Sequence, residues 1–410
     1  MLGKWNQSLE GLYDQMVDWR RDFHMHPELS FQEVRTPNII AEYLRSLGIE
    51  VKTGVGGNGI VGTIRGGNPG KTIALRADFD ALPIQDEKNV SYKSTVPGVM
   101  HACGHDGHTS TLLAVAKVLS ENREHLNGNV VLLHQHAEEL APGGAVAMVE
   151  DGALEGVDAV FGTHVMANIP FGAYAYRSGP MMAAGDSFVI KIQGKGGHGA
   201  APHETIDAIA IGTQVVNQLQ HLVSRQINPL KPAVVSVGSF HAGGAPNVIA
   251  DSAEITGTVR TFDPEVRNYI EKEMKIIVEG ICGAFHATSQ VSYSRGYPAV
   301  VNHEKETEVF VSVMEKFAGE DRLVNIDPIM GSEDFGYFIQ NKPGMFFFTA
   351  AGNEDLGACY PHHHPRFDFD ERAMMHAGQA FLAIIHHYLI EKEVDKVDLA
   401  VQAKAQSMMT

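Results

Sequence analysis

Disulfides are the first thing the chain cannot support. Its 410 residues include only three cysteines, Cys103, Cys282 and Cys359, too few and too odd a number for a disulfide framework. No run approaches the ~20 consecutive apolar residues of a membrane-spanning helix. Basic residues are short as well: 32 Lys and Arg stand against 49 Asp and Glu, a net charge of −17. That leaves no positive footprint for nucleic acid or for an anionic membrane surface. Residues 1–31 are amphipathic and charged and lack the apolar core of a secretory signal. These absences predict a protein of the reducing cytoplasm with neither nucleic acid nor membrane as partner.

What is present is ordinary globular material, 44% hydrophobic and 20% charged, in a chain too long for one hydrophobic core, so two domains are expected. The compositional oddity is 21 histidines, and they cluster. Met100-His101-Ala102-Cys103-Gly104-His105-Asp106-Gly107-His108 sets a cysteine among histidines, with glycines that let the backbone turn closely. A thiolate beside imidazoles is good ligand chemistry for a transition metal. The competing reading is a polar loop with no ligand.

Along the chain, apolar residues recur at helical spacing over 5–24 (Leu9, Leu12, Met16, Trp19, Phe23) and stop at His26-Pro27; a second helical run, 36–47, is closed by Gly48. Gly54-Val55-Gly56-Gly57-Asn58-Gly59 formally matches a dinucleotide fingerprint. A strand-like run, Ile60-Val61-Gly62-Thr63-Ile64, follows where that motif needs a helix, so a nucleotide site is rejected. Residues 72–80 read as a buried strand ending in Asp78 and Asp80, two apart and therefore on one face. Residues 109–119 look helical. The apolar strand 129–134 leads into His134-Gln135-His136-Ala137-Glu138-Glu139, and 159–165 carries His164 near its end. Apolar strands ending in acids and imidazoles, with helices between them, predict an α/β sheet with a polar site at one edge.

From Gly185 the order changes to strand 187–193, helix 206–223, strands 233–240 and 253–262, helix 264–285 and strand 288–293. This β-α-β-β-α-β order is the split βαβ pattern of a ferredoxin-like α+β domain. Asp263 suits the cap of the second helix and Pro264 its first position. Helices near 304–318 and 370–391 then return to the α/β manner. The expected organisation is a discontinuous α/β domain, 1–184 and 294–410, interrupted by an inserted domain, 185–293.

Two further signals carry chemistry. Adjacent carboxylates at Glu138-Glu139 point in different directions, so one can hold a metal while the other faces a water; the alternative is a solvated acidic turn. In Tyr360-Pro361-His362-His363-His364-Pro365-Arg366-Phe367-Asp368, prolines hold three successive histidines in a defined course, although a surface tract would read the same way.

With these motifs the chain resembles the amidohydrolase branch of the M20 metallopeptidase family, above all bacterial hippurate hydrolases. The resemblance runs from Arg21-Asp22-Phe23-His24 with Pro27-Glu28-Leu29 to Pro365-Arg366-Phe367-Asp368. It includes Leu75-Arg76-Ala77-Asp78-Phe79-Asp80-Ala81-Leu82-Pro83, the stretch 100–109, the stretch 194–202 and Gly331-Ser332-Glu333-Asp334-Phe335. It implies a metallopeptidase-type catalytic domain with a mixed sheet, and a lid and dimerisation domain in the insert. It also implies two divalent metal ions, Mn or Zn first with Ni or Co as alternatives, on Cys103, His105, Glu139, His164 and His363. Glu138 falls on the general base. His198 falls on an oxyanion-stabilising histidine that often acts across a homodimer. Asn247 and Arg260 fall on positions that grip the substrate carboxylate, and Asp106 and His108 on supporting positions.

The implied reaction is hydrolysis of the amide of N-acyl-L-amino acids of the hippurate type. A metallo-dipeptidase or aminopeptidase, and a non-catalytic metal-binding protein, are the alternatives. The chain departs from the family pattern at His136, where proline is usual, and at His362, where an apolar residue is usual. After His164 it lacks a common tryptophan, having Val165-Met166-Ala167-Asn168, which leaves the acyl preference open.

Overall fold

Along the strand Asn68–Asp78, Ile73, Leu75 and Ala77 enter one hydrophobic cluster while Ala74 enters another. A strand buried on both faces belongs to the middle of a sheet covered on both sides. The computed structural model, which describes residues 1–391, shows that sheet. Its eight strands run in the order Glu50–Val55, Gly59–Arg65, Asn127–Gln135, Asn68–Asp78, Ala159–Pro170, Gly344–Gly352, Tyr174–Tyr176, Leu323–Asn325. The four central strands, from Asn127–Gln135 to Gly344–Gly352, are mutually parallel, and antiparallel pairings flank them. Helices Leu2–Glu10, Tyr13–Met25, Arg35–Ser46, His105–Glu121 and Arg372–Leu389 feed the first cluster, through Trp5, Phe23, Ile40, Leu112 and Phe381. Gly144–Glu150 and Gly336–Asn341 feed the second, through Met148 and Phe338.

A separate four-stranded antiparallel sheet has the order Ala233–Ala242, Ser252–Thr261, Ala184–Gln193, Thr288–Arg295. Helices Ala208–His221 and Pro264–Ala284 pack on it, and its own core is drawn wholly from residues 188–287. Asp263 caps the second helix by accepting from the amides of Glu265 (2.8 Å) and Val266 (3.1 Å), with Pro264 in the first position. We propose that residues 185–293 are an insertion into a catalytic domain of 1–184 and 294–410, of which 392–410 lie outside the described residues.

The structure redraws several expected elements. The run 5–24 is two helices, interrupted at Gly11, a poor helix former. The helix expected at 109–119 begins at His105, because Gly104 takes the left-handed conformation (φ +101°) that lets the chain turn into it. Residues 54–59 turn between two antiparallel strands, which agrees with rejecting a nucleotide site. The buried strand Gly344–Gly352 had not been anticipated.

The first helical layer is tied to the rest of the molecule by a fully buried arginine. Arg20 donates to Asp106 (3.0 Å), Asp368 (2.6 Å) and Glu371 (3.1 Å), and its guanidinium lies 4.8 Å from the Tyr92 ring and 4.6 Å from the Phe369 ring. His24 adds contacts to Asp106 (2.7 Å) and Asp86 (3.3 Å). Replacing Arg20 with methionine keeps an apolar stem but strands buried carboxylates, at a cost of about 3–5 kcal/mol; urea unfolding followed by circular dichroism measures it, and an unchanged midpoint rejects the clamp. Burial works against the Asp86 carboxylate, but hydrogen bonds from His24, Ser94 and Lys88 hold its pKa at about 2. Arg20 likewise overcomes burial to hold Asp106 and Asp368 below the carboxylate range. Folded values below the unfolded value of ~3.9 give stability that is complete above about pH 4 and lost as pH falls toward 2. The urea midpoint should therefore drop steeply below pH 4.

Candidate metal centre

Three of the parallel strands deliver polar groups to one place. Asn127–Gln135 runs out into Glu138 and Glu139, Asn68–Asp78 into Asp80, and His164 projects from Ala159–Pro170. Strand carboxyl ends are where open α/β sheets gather ligands. The Cys103–His105 turn enters the same place, and a Cβ on Gly104 would sit only 2.4 Å from Val165 Cγ2, so glycine is what permits the approach. Two non-glycine residues with positive φ flank the site, Ala137 (53°) and His363 (66°), a local strain common at functional centres.

Six side chains converge. Cys103 Sγ lies 3.2 Å from His164 Nε2, and His363 Nε2 lies 3.3 Å from Glu139 Oε2. His105 Nε2 stands 3.9 Å from Glu138 and 3.8 Å from Glu139. Cys103, His105 and His164 form one group of potential ligand atoms, and Cys103, Glu139 and His363 a second, each group lying within 4.8 Å. Two groups sharing one thiolate suit a pair of ions. Among the described residues, His105 Nε2 and Glu139 Oε1 are buried with no hydrogen-bond partner, as ligand atoms awaiting a cation would be.

The second ring nitrogens explain which histidines are free to bind. His105 Nδ1 donates to Asp80 (3.1 Å), leaving Nε2 as a lone pair toward the site. His164 Nδ1 donates to the Val165 carbonyl (2.7 Å), which aims Nε2 at Cys103. His108 is committed on both sides, Nδ1 to Asp78 (2.6 Å) and Nε2 to the Val165 amide (2.9 Å), so although it stands in a potential ligand group with Asp78 and His105, neither of its ring nitrogens is left free. Of the three successive histidines, His362 donates to the Val165 carbonyl (2.9 Å) and His364 stacks on Tyr360, which leaves His363 facing Glu139.

The field at the centre is strongly negative. Burial, with Glu139, Glu138 and Asp78 nearby, pushes the Cys103 thiol up. Burial disfavours a charged His105, yet Asp78, Asp80 and Glu139 prevail and push it up to about 10. Burial and then Glu333, Glu139 and Asp334 push Glu138 well above the usual carboxylate range. The charge that would hold a proton on His105 would equally hold a divalent cation, and a cation would return Cys103 to its thiolate.

Arg260 reaches this centre from the strand Ser252–Thr261. It lines a cavity of about 420 Å³ together with Cys103, Glu138, Glu139, His164 and His363. Among the described residues it has no ion-pair partner, its one recorded bond being to the Val259 carbonyl. His198 and Asn247 are not brought to this cavity. They are exposed neighbours on the small domain, where the Gly199 amide donates to the Asn247 carbonyl (2.8 Å). His136 does not reach Glu139; its buried ring packs beside Gly57 and Phe31.

Sequence reasoning had singled out Asp80 without seeing that it orients His105. Tyr297, whose hydroxyl donates to the Glu138 carbonyl (2.5 Å), carried no signal, lying in a segment outside every strand.

Comparison with known proteins agrees with this arrangement. Residues 74–387 match the family model described as peptidase family M20/M25/M40. The chain is 49% identical to the N-acyl-L-amino acid amidohydrolase of Geobacillus stearothermophilus over 71% of this chain and 78% of that protein. It is 44% identical to thermostable carboxypeptidase 2 of Saccharolobus solfataricus, over 90% and 94%. Among solved structures it resembles the Bacillus subtilis YXEP protein, described as a dinuclear metal-binding peptidase of the M20 family, with a TM-score of 0.78 and 36% identity over 92% and 98% of the two chains.

Because Asp80 fixes the ring of His105, Asp80→Asn should weaken zinc binding by about 10- to 100-fold in calorimetric titration while leaving the circular dichroism unchanged. Unaltered affinity would remove Asp80 from the site.

Proposed function

The chain belongs to peptidase family M20/M25/M40 and is a metal-dependent hydrolase of its amidohydrolase and carboxypeptidase kind, and we propose that it cleaves N-acyl-L-amino acids of the hippurate type. The observation that carries this reading is one cavity lined by Cys103, Glu139, His164 and His363 of the ligand cluster and by Arg260, which has no ion-pair partner among the described residues. A planar guanidinium binds both oxygens of a free carboxylate, so a substrate held there presents the neighbouring amide to the ligand cluster.

Cys103, His105, Glu139, His164 and His363 would hold two divalent ions, Mn or Zn first and Ni or Co next, since thiolate and imidazole donors accept all of them. When bound, such ions supply Lewis-acid polarisation of the carbonyl and acidify a water to a pKa of roughly 7. Glu138 takes the proton of the attacking water as its oxygen bonds to the carbonyl carbon. The same carboxyl then gives that proton to the departing nitrogen as the C–N bond breaks. Arg260 holds the carboxylate throughout, fixing the distance from that anchor to the amide.

His198 accepts the Ala200 amide at Nδ1 (3.0 Å), so its proton sits on Nε2, ready to donate to a developing oxyanion. Being exposed and away from the cavity of its own chain, it serves, with Asn247, the site of a second copy in a homodimer. Among the described residues no helix is long and apolar enough to cross a membrane.

A carboxypeptidase reading uses Arg260 in the same way on a peptide C-terminus. An aminopeptidase or dipeptidase reading requires a group to receive a free α-ammonium. Hydrolysis of hippurate without hydrolysis of Gly-Gly separates these, and metal uptake with no hydrolysis of either leaves a metal-binding protein. Glu138→Gln should keep its metal, measured by plasma mass spectrometry, while kcat on hippurate falls about 10²- to 10⁴-fold. Retained turnover would defeat the mechanism. Cys103→Ala should lose metal and activity together; activity surviving that change would mean the centre lies elsewhere.

A further inference from the structure

We propose that Gly331, set between Met182 and Ile329, limits the size of the acyl group, and that the apolar wall around it selects an aromatic acyl over acetyl. This rests on the amidohydrolase reading above and adds the residues that read the acyl portion. The cavity that holds the ligand cluster is apolar on one side, where Met166, Met182, Ile329 and Phe348 line it. Strand register puts this wall beside the metal centre. Phe348 is the partner of His164 across the parallel pair, and Met166, two residues on, shares the face of His164. A carbonyl at the ligand cluster thus has its acyl substituent against Met166 and Phe348, while Arg260 enters from the other sheet.

An adjoining cavity of about 270 Å³ is polar. Glu139, Arg260, Tyr297 and Ser332 line both cavities, and the further walls of the second include Asp186, Ser187, Thr258 and Ser294. The amino-acid end belongs with that hydroxyl-rich surface, and the acyl end with the thioethers. Methionine sulfur makes favourable contacts with aromatic rings and adapts to their shape, and acetyl would leave most of such a wall uncovered.

Gly331 is the one glycine in the lining of this cavity. A Cβ there would lie 3.6 Å from Ile329 Cδ1 and 3.6 Å from Met182 Cε, ordinary contact distances. Its φ is not left-handed, so side chains are conformationally allowed. The Ala183 amide bonds to the carbonyls of Ile329 (3.2 Å) and Gly331 (2.9 Å), so the segment is pinned and a larger side chain at 331 takes up space between Ile329 and Met182, both of which line the cavity.

The test compares kcat/KM for N-benzoylglycine and N-acetylglycine in the metal-loaded protein, with metal content and thermal midpoint recorded for every variant. Wild type should favour benzoyl. Gly331→Val should lower benzoyl turnover by about 10- to 100-fold and leave acetyl within about threefold, the discrimination a methyl or two gives in an apolar pocket. Equal loss on both substrates, or no loss, overturns the proposal. Met182→Ala removes volume and serves should Gly331→Val fail to fold: it should raise the N-naphthoylglycine to N-benzoylglycine ratio, and an unchanged ratio is a refutation. If metal-loaded wild type hydrolyses none of these amides, the amidohydrolase reading falls and this inference with it. Benzoyl turnover with an acyl ratio insensitive to both variants rejects the inference alone.

Discussion

Unbalanced negative charge at the ends of the parallel strands is the constraint on which the rest of the structure turns. Arg76, wholly buried, donates to Asp78 (2.6 Å), Glu333 (2.8 Å), Asp334 (3.0 Å) and Gln135 (2.8 Å). One guanidinium cannot also offset Glu138, Glu139 and Asp80. Like charges ~4 Å apart repel by about 4 kcal/mol at an effective dielectric constant of 20, and the raised Glu138 and Asp334 carboxyls register that repulsion, with burial as the larger cause. A pair of divalent cations held there would resolve it. The same arrangement would then tie the stability of this region to metal occupancy.

Within that field, the hydrogen bond made by each second ring nitrogen separates the histidines with a free nitrogen from those without one. Asp80 and the Val165 carbonyl fix His105 and His164 with their free nitrogens inward, while the Val165 amide consumes the remaining nitrogen of His108. The backbone of Val165 thus governs three imidazoles, since its carbonyl also receives His362. Ligand identity here follows from local backbone geometry as much as from residue type.

This division explains what could be read from the sequence. Cys103, His105, Glu138, Glu139 and His164 were legible because they sit on strand ends or on a glycine-bounded turn, where spacing has a structural meaning. The β-α-β-β-α-β order of residues 185–293 was legible because each element shows its own period and Asp263-Pro264 marks a helix start. Strand Gly344–Gly352 was not: it is buried at nearly every position, and a short continuous apolar run carries no periodicity that distinguishes strand from helix. The break at Gly11 was masked because the apolar spacing continues through it. Tyr297 and Arg20 act through contacts to residues far away in the chain, which local pattern cannot reveal. The choice of His363 among three histidines depended on resemblance, and only the partners of His362 and His364 supply a physical reason for it.

The substrate cavity is bounded by groups from two separate hydrophobic cores. Met182 and Phe348 belong to the core beneath the eight-stranded sheet, while Arg260 stands on a strand packed by Ile255 and Val259 into the core of the small sheet. The distance from the Arg260 guanidinium to the Cys103 sulfur is therefore set by how one core is seated against the other. Chemistry and anchoring can then vary independently: Glu138 is fixed by a strand end and Cys103 by the turn into the helix His105–Glu121, whereas any shift of the small sheet moves Arg260 relative to them. On the proposed reading, substrate length is a property of the seam between the two cores, and acyl size a property of the wall within one of them. Neither requires a change in the ligand set, which is how one metal centre can serve relatives that are named for different substrates.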